Sequence, residues 1–341
     1  MIQTQHLPPS PPDRAAWPWT EAPDQLPQAM PDGRPWPRIS VVVPSYNQGQ
    51  YLEETLRSLL LQGYPNLEVS VRDGGSTDAS VAIIERYAPW LTSWVSQKDG
   101  GQAQAINAGW ALATGDLIGW LNSDDYLLPG ALERLALAHR AHPDFILLGD
   151  VEIFSEDGLI HQHWEQRAVT VTNMVCIWLG EMRWSQPGTF VPMALHQQVG
   201  PLDETLRYVF DRDWMIKLLS RAQTHYLHSS VARFRMHAGS KTVGEGAKWL
   251  PEHLKVTRRY LHLAPGSMPR AVTAEQLLWY GALPNLSVAR GSIDRAEAFR
   301  YMMLALAADP RTLVNARFWL LAAMLLTPSA LMRAVRPFIQ M

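Results

Sequence analysis

Two adjacent carboxylates, Asp124 and Asp125, are the residues whose types and spacing most directly predict chemistry. Neighbouring carboxylates repel each other unless a cation lies close by. Oxygen ligands of this kind suit Mg²⁺ or Mn²⁺, and Mg²⁺ sites commonly combine one or two carboxylates with substrate phosphates. The pair alone therefore predicts a divalent cation and a phosphate-bearing ligand.

The pair belongs to one of four polar segments that each follow a predicted strand. In an open parallel sheet, ligands bind beyond the carboxyl ends of the strands, so these segments are expected to meet in one crevice. A single segment of this kind is usually a solvated turn, but four in phase with the strands favour a site. The segments are Pro44-Ser45-Tyr46-Asn47, Arg72-Asp73-Gly74-Gly75-Ser76-Thr77-Asp78, Lys98-Asp99-Gly100-Gly101-Gln102 and Asn122-Ser123-Asp124-Asp125.

The elements that must position these segments alternate between strand and helix. Apolar β-branched runs predict strands at residues 39–43, 67–71, 93–96 and 117–121, and helical periodicity separates them. Strict alternation predicts a parallel sheet covered on both faces, hence an α/β fold. Beyond Pro129 the alternation loosens. A hairpin is expected over residues 151–164, and the chain becomes helical from about residue 250.

A second acidic pair, Asp211 and Asp213, lies at the start of a predicted helix. Helical positions two apart do not face each other. One carboxylate can therefore point into the cleft while the other caps the helix or pairs with a cation.

Composition excludes several classes of protein. The chain has 341 residues, a formal net charge of −2 and one cysteine, Cys176, so neither nucleic-acid binding nor a disulfide framework is expected. The sequence shows neither a signal-peptide pattern nor an apolar run of membrane-spanning length. A cytoplasmic protein is expected, with or without peripheral contact to the inner face of the cell membrane.

Three regions follow from composition: a proline-rich tail over residues 1–37, a main domain over 38–250 and a helical region over 251–341. The tail's Trp17, Trp19 and Trp36 predict either packing on the domain or a partner motif. Residues 310–341 contain four arginines and no acidic residue around an apolar run at 318–326. That pattern favours an interfacial helix on anionic lipid, with a buried helix or a dimer contact as alternatives.

Residues 39 to about 237 resemble the inverting glycosyltransferases of family 2, which have the GT-A fold. The resemblance rests on ordered motifs, each of modest specificity alone: Val43-Pro44-Ser45-Tyr46-Asn47, Asp73-Gly74-Gly75-Ser76-Thr77-Asp78, Gly100-Gly101-Gln102-Ala103-Gln104-Ala105-Ile106-Asn107-Ala108-Gly109, Ser123-Asp124-Asp125 and Phe210-Asp211-Arg212-Asp213-Trp214. It implies metal-dependent transfer of a sugar, from a UDP-sugar by preference, to an acceptor hydroxyl. The expected acceptor is a growing or lipid-linked glycan in cell-surface polysaccharide biosynthesis.

The resemblance also implies roles for single residues. Asp73 is expected to accept a hydrogen bond from a uracil-type base, within a nucleotide-sugar site formed by Pro44, Tyr46, Asn47, Asp73, Gly101, Gln102, Asn107 and Asp124. Asp125 is the first choice as ligand of Mn²⁺ or Mg²⁺, with Asp124 shared between the metal and the ribose. His237 is the remaining candidate ligand, and Asn122 stands where the family usually has a further Asp.

Asp211 is the expected catalytic base, with Asp213 as second choice. Arg235 and Lys241 are alternative cations for the phosphates. Trp178, Trp184 and Trp214 are expected to be either platforms for sugar rings or core residues.

Two other functions are weighed against this one. A dinucleotide-binding oxidoreductase needs Gly-x-Gly-x-x-Gly after the first strand, where this chain has Pro44-Ser45-Tyr46-Asn47. A catalytically weak scaffold that binds nucleotide sugars within a polysaccharide assembly complex stays open as the alternative.

Overall fold

The computed structural model describes residues 7–11, 14, 16–19, 25–177, 182–237, 239–240, 246–264, 269–283 and 294–327. The chain divides into two compact units. The first comprises Met1–Val169 and Met182–Arg235, and the second comprises Thr170–Glu181 and Met236–Met341. The region boundaries expected at residues 38 and 251 stay predictions.

The strands of the first unit form one sheet in the order β3-β2-β1-β4-β8-β6-β9-β5, with β7 paired to β6. The pairs β1–β2, β1–β4 and β2–β3 are parallel, as the alternating pattern predicted. From β4 onward the pairs β4–β8, β6–β8, β6–β7 and β5–β9 are antiparallel. The strands are β1 (Ile39–Ser45), β2 (Leu67–Asp73), β3 (Ser93–Ser96), β4 (Leu117–Trp120), β5 (Tyr126–Leu127), β6 (Ile146–Ser155), β7 (Ile160–Trp164), β8 (Thr189–Pro192) and β9 (Thr224–Met236).

The helices of the first unit flank this sheet. Apolar residues at helical spacing on α1 and on α2 pack against the buried strands, which makes one core with Val41, Val43 and Val69. The predicted hairpin is confirmed as β6 and β7. The helices are α1 (Gly49–Leu60), α2 (Ser80–Tyr87), α3 (Gln102–Trp110), α4 (Ala131–Ala141), α6 (Met193–Val199) and α7 (Phe210–Leu219), while α5 (Val171–Val175) belongs to the second unit.

The described part of the proline-rich tail packs on the first unit. Arg57 of α1 is 5% exposed, and its guanidinium donates to the carbonyls of Pro8 at 2.8 Å and Pro18 at 3.0 Å. The ring of Trp19 lies 5.3 Å from that guanidinium, and Trp36 is buried in the core. A proline-rich segment has few backbone N–H donors for its own carbonyls. The buried guanidinium of Arg57 supplies donors for them. Packing, the first of the two alternatives, is confirmed for these residues.

The described residues of the second unit are mainly helical. Its core comprises Leu250, Leu278, Met302, Phe318 and Leu321 together with neighbouring apolar residues. The helix at Pro269–Gln276 continues as a π-helical segment at Leu277–Ala282. The longer helices are α8 (Leu250–Tyr260), α9 (Pro269–Gln276), α10 (Arg295–Ala308) and α11 (Ala316–Leu326).

None of the helices within the described residues combines the length and the apolarity that crossing a membrane requires.

Candidate active site

Asp73, the last residue of β2, organises the loop that follows it. Its buried carboxylate accepts hydrogen bonds at Oδ2 from the backbone N–H groups of Gly75 at 3.1 Å and Ser76 at 2.8 Å. The hydroxyl of Ser96 in β3 donates to the same oxygen at 2.7 Å, and the hydroxyl of Ser76 donates to Oδ1 at 2.5 Å. Of these described hydrogen bonds, Oδ2 accepts three and Oδ1 accepts one, so Oδ1 is the less crowded oxygen.

The ends of β1, β2 and β3 meet beside Gly74. A side chain at position 74 would have its Cβ 3.3 Å from the ring of Tyr46 and 3.3 Å from the carboxylate of Asp99. Tyr46 is 63% exposed, and Pro44 is buried within β1. The three strand ends therefore come together as expected, with an exposed aromatic ring and a carboxylate beside Gly74.

Asn47 joins the first two strand ends. It has a φ of 51°, in the left-handed region that Asn tolerates. Its backbone N–H donates to the hydroxyl of Ser76 at 2.7 Å, and its side-chain oxygen accepts from the N–H of Thr77 at 2.8 Å. Asp78 completes the arrangement by accepting from the N–H of Gly49, at the start of α1, at 2.8 Å. The amide of Asn47 thus positions the two loops.

A chain of side-chain hydrogen bonds runs from α3 to the Asp pair. Gly101, with a φ of 117° that favours glycine, precedes α3 and donates its N–H to Asp99 at 2.8 Å. The amide of Gln102 donates to the side-chain oxygen of Asn122 at 2.7 Å. The amide nitrogen of Asn122 in turn donates to Oδ2 of Asp125 at 3.1 Å. Asn122, which departs from the family's usual Asp, therefore links the glycine-rich segment to the Asp pair.

The carboxylates of the pair differ in environment. Asp125 is 1% exposed, and its Oδ1 accepts the backbone N–H of Arg235 at 3.0 Å, whereas Asp124 is half-buried. Burial, and next the negative charge of Asp124, raise the pKa of Asp125 well above its ordinary value. The carboxylate of Asp125 thus receives two hydrogen bonds from neutral donors, the backbone N–H of Arg235 and the amide of Asn122.

This donor set fits a divalent cation. Two adjacent carboxylates, one of which accepts hydrogen bonds from neutral donors, gain from a nearby positive charge. Among the described residues, no group of three or more His, Cys, Asp and Glu side chains could hold a metal ion. A cation at the Asp pair would have coordination positions left for phosphate oxygens and water.

The second acidic pair also divides into a buried and an accessible carboxylate. Asp213 is fully buried and lies 2.8 Å from the ammonium of Lys217, one turn further along α7. Asp211 is half-buried in the first turn of α7, and its Oδ1 accepts the N–H of Arg212 at 2.7 Å. Of the two, Asp211 has the exposure that a catalytic base requires.

Aromatic packing joins α7 to the strand that precedes the Asp pair. Trp120, the last residue of β4, lies 6.3 Å from the ring of Phe210 and 5.6 Å from the ring of Trp214. Trp214 is 1% exposed and also packs on Trp110, 4.9 Å away. Trp214 is therefore a core residue, and the proposal that it stacks on a sugar ring is wrong because its faces are covered by tryptophans.

The structure also describes the contacts of two further candidates, Asn107 and Trp184. Asn107 uses its whole amide within the protein, accepting from the N–H of Leu202 at 2.9 Å and donating to the carbonyl of Leu202 and to Glu204. It therefore positions the 202–204 segment, and the structure gives no support for its expected place in the donor crevice. Trp184 is half-buried and donates to Thr189 at 2.9 Å.

His237 lies in the second unit, where it is buried, so its place at the metal stays a prediction. Trp178 and Lys241 lie outside the described residues.

Comparison with known proteins decides the family. The family described as glycosyl transferase family 2 matches residues 40–194, which carry the strand ends described above and the Asp pair. This chain contains a family 2 glycosyltransferase domain. The predicted family is confirmed for these residues.

Curated relatives share the transferase domain at low identity. An uncharacterized glycosyltransferase of Rickettsia prowazekii is 24% identical over 223 residues, which cover 60% of this chain and 66% of that protein. The O-antigen biosynthesis protein RfbC of Myxococcus xanthus is 27% identical over 330 residues, which cover 91% of this chain and 26% of that protein. The chain spans from about a third to two thirds of the length of the first Rickettsia relatives that it matches.

Solved structures confirm the GT-A fold of the transferase domain. TarS of S. aureus, residues 1–349 in complex with UDP-GlcNAc, matches with a TM-score of 0.59 and 20% identity, over 80% of this chain and 82% of that one. The same protein in complex with UDP matches with a TM-score of 0.56 and 21% identity, over 82% of this chain and 89% of that one.

Proposed function

We propose that this protein transfers a sugar from a UDP-sugar to an acceptor hydroxyl, with inversion at the anomeric carbon. The observation that carries the proposal is the hydrogen-bonded path from Gln102 through Asn122 to Asp125. That path joins the glycine-rich segment to an Asp pair whose other member, Asp124, is half-buried. A nucleotide diphosphate carrying a sugar fits such a site because the cation it brings would balance the two carboxylates.

The uracil base of the UDP-sugar is proposed to bind beside Asp73 and Tyr46. Oδ1 of Asp73 is the less crowded oxygen and can accept a base N–H, and Tyr46 offers an exposed ring beside Gly74. The structures of TarS with UDP-GlcNAc and with UDP support a uridine nucleotide on this fold. Pro44 and Gly101 line the site, and the amides of Asn47 and Gln102 hold its loops.

The metal, Mn²⁺ or Mg²⁺, would be held mainly by the carboxylate of Asp124, with Asp125 as the second candidate ligand. Burial and the two hydrogen bonds to Asp125 favour Asp124, in place of Asp125, as the first ligand. When bound, such a cation offsets the negative charge that grows on a departing diphosphate. His237 stays a proposed further ligand.

Asp211 acts as the general base. The acceptor oxygen forms a bond to the anomeric carbon while the bond from that carbon to the diphosphate breaks, and UDP leaves. The proton of the acceptor hydroxyl passes to the carboxylate of Asp211. A carboxylate is a weak base at rest, but the hydroxyl becomes acidic as its bond to carbon forms. Asp213 is the lesser candidate because Lys217 already neutralises it.

The acceptor is proposed to be a glycan of a cell-surface polysaccharide. The similarity to an O-antigen biosynthesis protein supports this class of product. A lipid-linked glycan is the preferred form of the acceptor, and a cytoplasmic location on the inner face of the membrane follows from that preference.

Helix α11 is the proposed membrane contact. Its exposed positions Ala316, Trp319, Leu320, Ala323 and Leu326 recur at helical spacing and form one apolar stripe. Four arginines and no acidic residue occur between residues 310 and 341, so the charge complements anionic lipid. Full-length W319Q/L320Q should sediment less with phosphatidylglycerol vesicles, while L159Q, altered at an exposed leucine of the first unit, should sediment like the wild type. Equal sedimentation of all three proteins would refute the contact.

A thermal-shift screen of nucleotide sugars with Mn²⁺ tests the donor. Stabilisation follows RT ln(1 + [L]/Kd), so a UDP-sugar at about 100 times its Kd should add about 2.7 kcal/mol, and GDP- and dTDP-sugars should add less. A larger shift with another nucleotide would overturn the UDP assignment. Binding without turnover for every acceptor tried would favour the scaffold function.

A further inference from the structure

Arg235 lies at the centre of the contacts that fix the Asp pair. Its backbone N–H donates to Oδ1 of Asp125 at 3.0 Å, and its side-chain Nε donates to the backbone carbonyl of Asp124 at 2.9 Å. One residue of β9 therefore donates hydrogen bonds to both members of the pair, which lie 110 and 111 positions earlier in the chain.

The guanidinium of Arg235 is itself held from four sides. It stacks between the rings of Tyr51, 4.7 Å away, and Phe154, 4.4 Å away. Its terminal nitrogen pairs with Glu54, and its side chain is 7% exposed. Planar stacking, a carboxylate partner and a carbonyl acceptor are the combination that Arg satisfies and Lys does not.

These contacts leave Arg235 poorly suited to bind phosphate directly. Its charge is offset by Glu54, and its planar faces are covered by two aromatic rings. The expectation that Arg235 neutralises donor phosphate is therefore not supported.

We propose that Arg235 is a positioning residue that sets the cation affinity of the site by fixing the Asp124–Asp125 peptide. The inference rests on the proposed function, because it assumes that the Asp pair serves a cation and a nucleotide diphosphate. Outer-shell partners of metal-ligating carboxylates commonly influence metal affinity about 10- to 100-fold. Arg235 acts as such an outer-shell partner because it donates to the main-chain carbonyl of Asp124 and to a carboxylate oxygen of Asp125.

Arg233 provides a matched control on the same face of β9. It pairs with Glu152 at 2.6 Å and donates to the hydroxyl of Tyr126 at 2.7 Å. The described hydrogen bonds and ion pair of Arg233 go to Glu152 and Tyr126 rather than to Asp124 or Asp125. Loss of Arg233 therefore removes a half-buried cation and its cation–π contact with Tyr126 without removing a described contact to the Asp pair.

The experiment measures UDP binding to the full-length protein by calorimetry, across a range of Mn²⁺ concentrations and in chelator. R235M keeps an apolar stem between the two rings and removes the guanidinium. We expect R235M to need about tenfold more Mn²⁺ for half-maximal UDP binding, with UDP affinity in chelator changed less than about twofold. R233M should retain the wild-type Mn²⁺ requirement.

Two further variants keep the inference testable if R235M does not fold. E54Q leaves Arg235 in place and removes its carboxylate partner, so the Mn²⁺ requirement should rise about threefold. R235K keeps the charge but cannot reach Glu54 and the carbonyl of Asp124 together, so its requirement should fall between those of the wild type and R235M.

Three results would overturn the inference. An unchanged Mn²⁺ requirement in folded R235M and E54Q would show that Arg235 does not set cation affinity. A loss of UDP affinity in chelator would show that Arg235 binds phosphate directly. An equal rise in R233M would show that lost stability of β9 is the cause.

Failure of the proposed function gives a different pattern, in which the wild-type protein binds no UDP under any condition. Electron paramagnetic resonance of Mn²⁺ alone then decides the role of Arg235. Weaker Mn²⁺ retention by R235M than by the wild type supports the inference, and equal retention or no binding by either protein overturns it.

Discussion

The two acidic pairs of the transferase domain resemble each other in sequence but differ in charge balance. In each pair one carboxylate is buried and the other is half-buried. Asp213 has the ammonium of Lys217 at 2.8 Å, whereas the hydrogen bonds to the carboxylate of Asp125 come from a backbone N–H and an amide. The buried member of the pair on α7 is therefore ion-paired, whereas the buried member of the pair after β4 accepts its described hydrogen bonds from neutral groups.

This difference teaches how two acidic pairs can serve different steps. A pair whose buried member is already ion-paired can offer its half-buried carboxylate to a proton. A pair whose buried member has a raised pKa gains most from a cation that arrives with the donor. The comparison supports the proposed proton transfer to Asp211 and the proposed cation binding at Asp124, and five substitutions test it.

Asp211→Asn should have the largest effect. Removal of the base is expected to lower kcat about 10²- to 10⁴-fold while leaving UDP affinity within about twofold, because Asn has nearly the same shape but cannot accept the proton. Steady-state kinetics and calorimetry with UDP measure both quantities. Asp203→Asn, in the loop before α7, is the control and should keep kcat near the wild-type value. If UDP affinity collapsed with kcat, Asp211 would be a binding residue.

Asp124→Asn and Asp125→Asn compare the two members of the first pair. Asp124→Asn should raise the Mn²⁺ concentration for half-maximal UDP binding about 100-fold, because it removes the accessible ligand. Asp125→Asn should raise it about tenfold, since the repulsion between the carboxylates is relieved while the second ligand is lost. The opposite order would restore Asp125 as the first ligand, and activity undiminished by excess chelator would remove the metal from the account.

Asp213→Asn should act on stability. Breaking a buried ion pair leaves Lys217 without its carboxylate, which is expected to cost about 2 to 3 kcal/mol of unfolding free energy. Urea unfolding measures the loss, and the double variant D213M/K217M should recover most of it because both charges are then removed. A 100-fold loss of kcat in protein that is still folded would instead make Asp213 part of the catalytic machinery.

Asn122→Ala should have the smallest effect. It removes the link between Gln102 and Asp125, so we expect the Mn²⁺ requirement to rise about threefold to tenfold. The melting temperature should fall only slightly, because Asn122 is half-buried. A variant with unchanged Mn²⁺ dependence would show that the side-chain path from α3 does not support the Asp pair.

The sequence predicted the parts of the site that follow single strands. Asp73, Tyr46 and Asp124 could be found because buried strands have a clear apolar pattern and polar residues mark their ends. The resemblance then ordered these segments into one family. The parallel half of the sheet followed from the same alternation, whereas of the antiparallel pairs only the hairpin of β6 and β7 gave a signal in the sequence.

Contacts between distant segments could not be predicted. The hydrogen bond from Arg235 to Asp124 spans 111 positions, and neither residue carries a local sign of it. Trp214 was ambiguous for the same reason, because a tryptophan in a cleft and a tryptophan packed on Trp110 and Trp120 have the same neighbours in sequence. Asn122 was treated as a weak point of the motif, and only its two side-chain bonds reveal it as a connector.

The most direct test of the proposed sugar transfer is an assay for UDP release. It uses a panel of UDP-sugars with Mn²⁺ and a glycan or lipid-linked acceptor. We expect one UDP-sugar to support acceptor-dependent release of UDP. Asp211→Asn should abolish this release while still binding UDP. Chelator should abolish the release by the wild-type protein. Failure of wild-type protein to bind or release any uridine nucleotide would contradict the account.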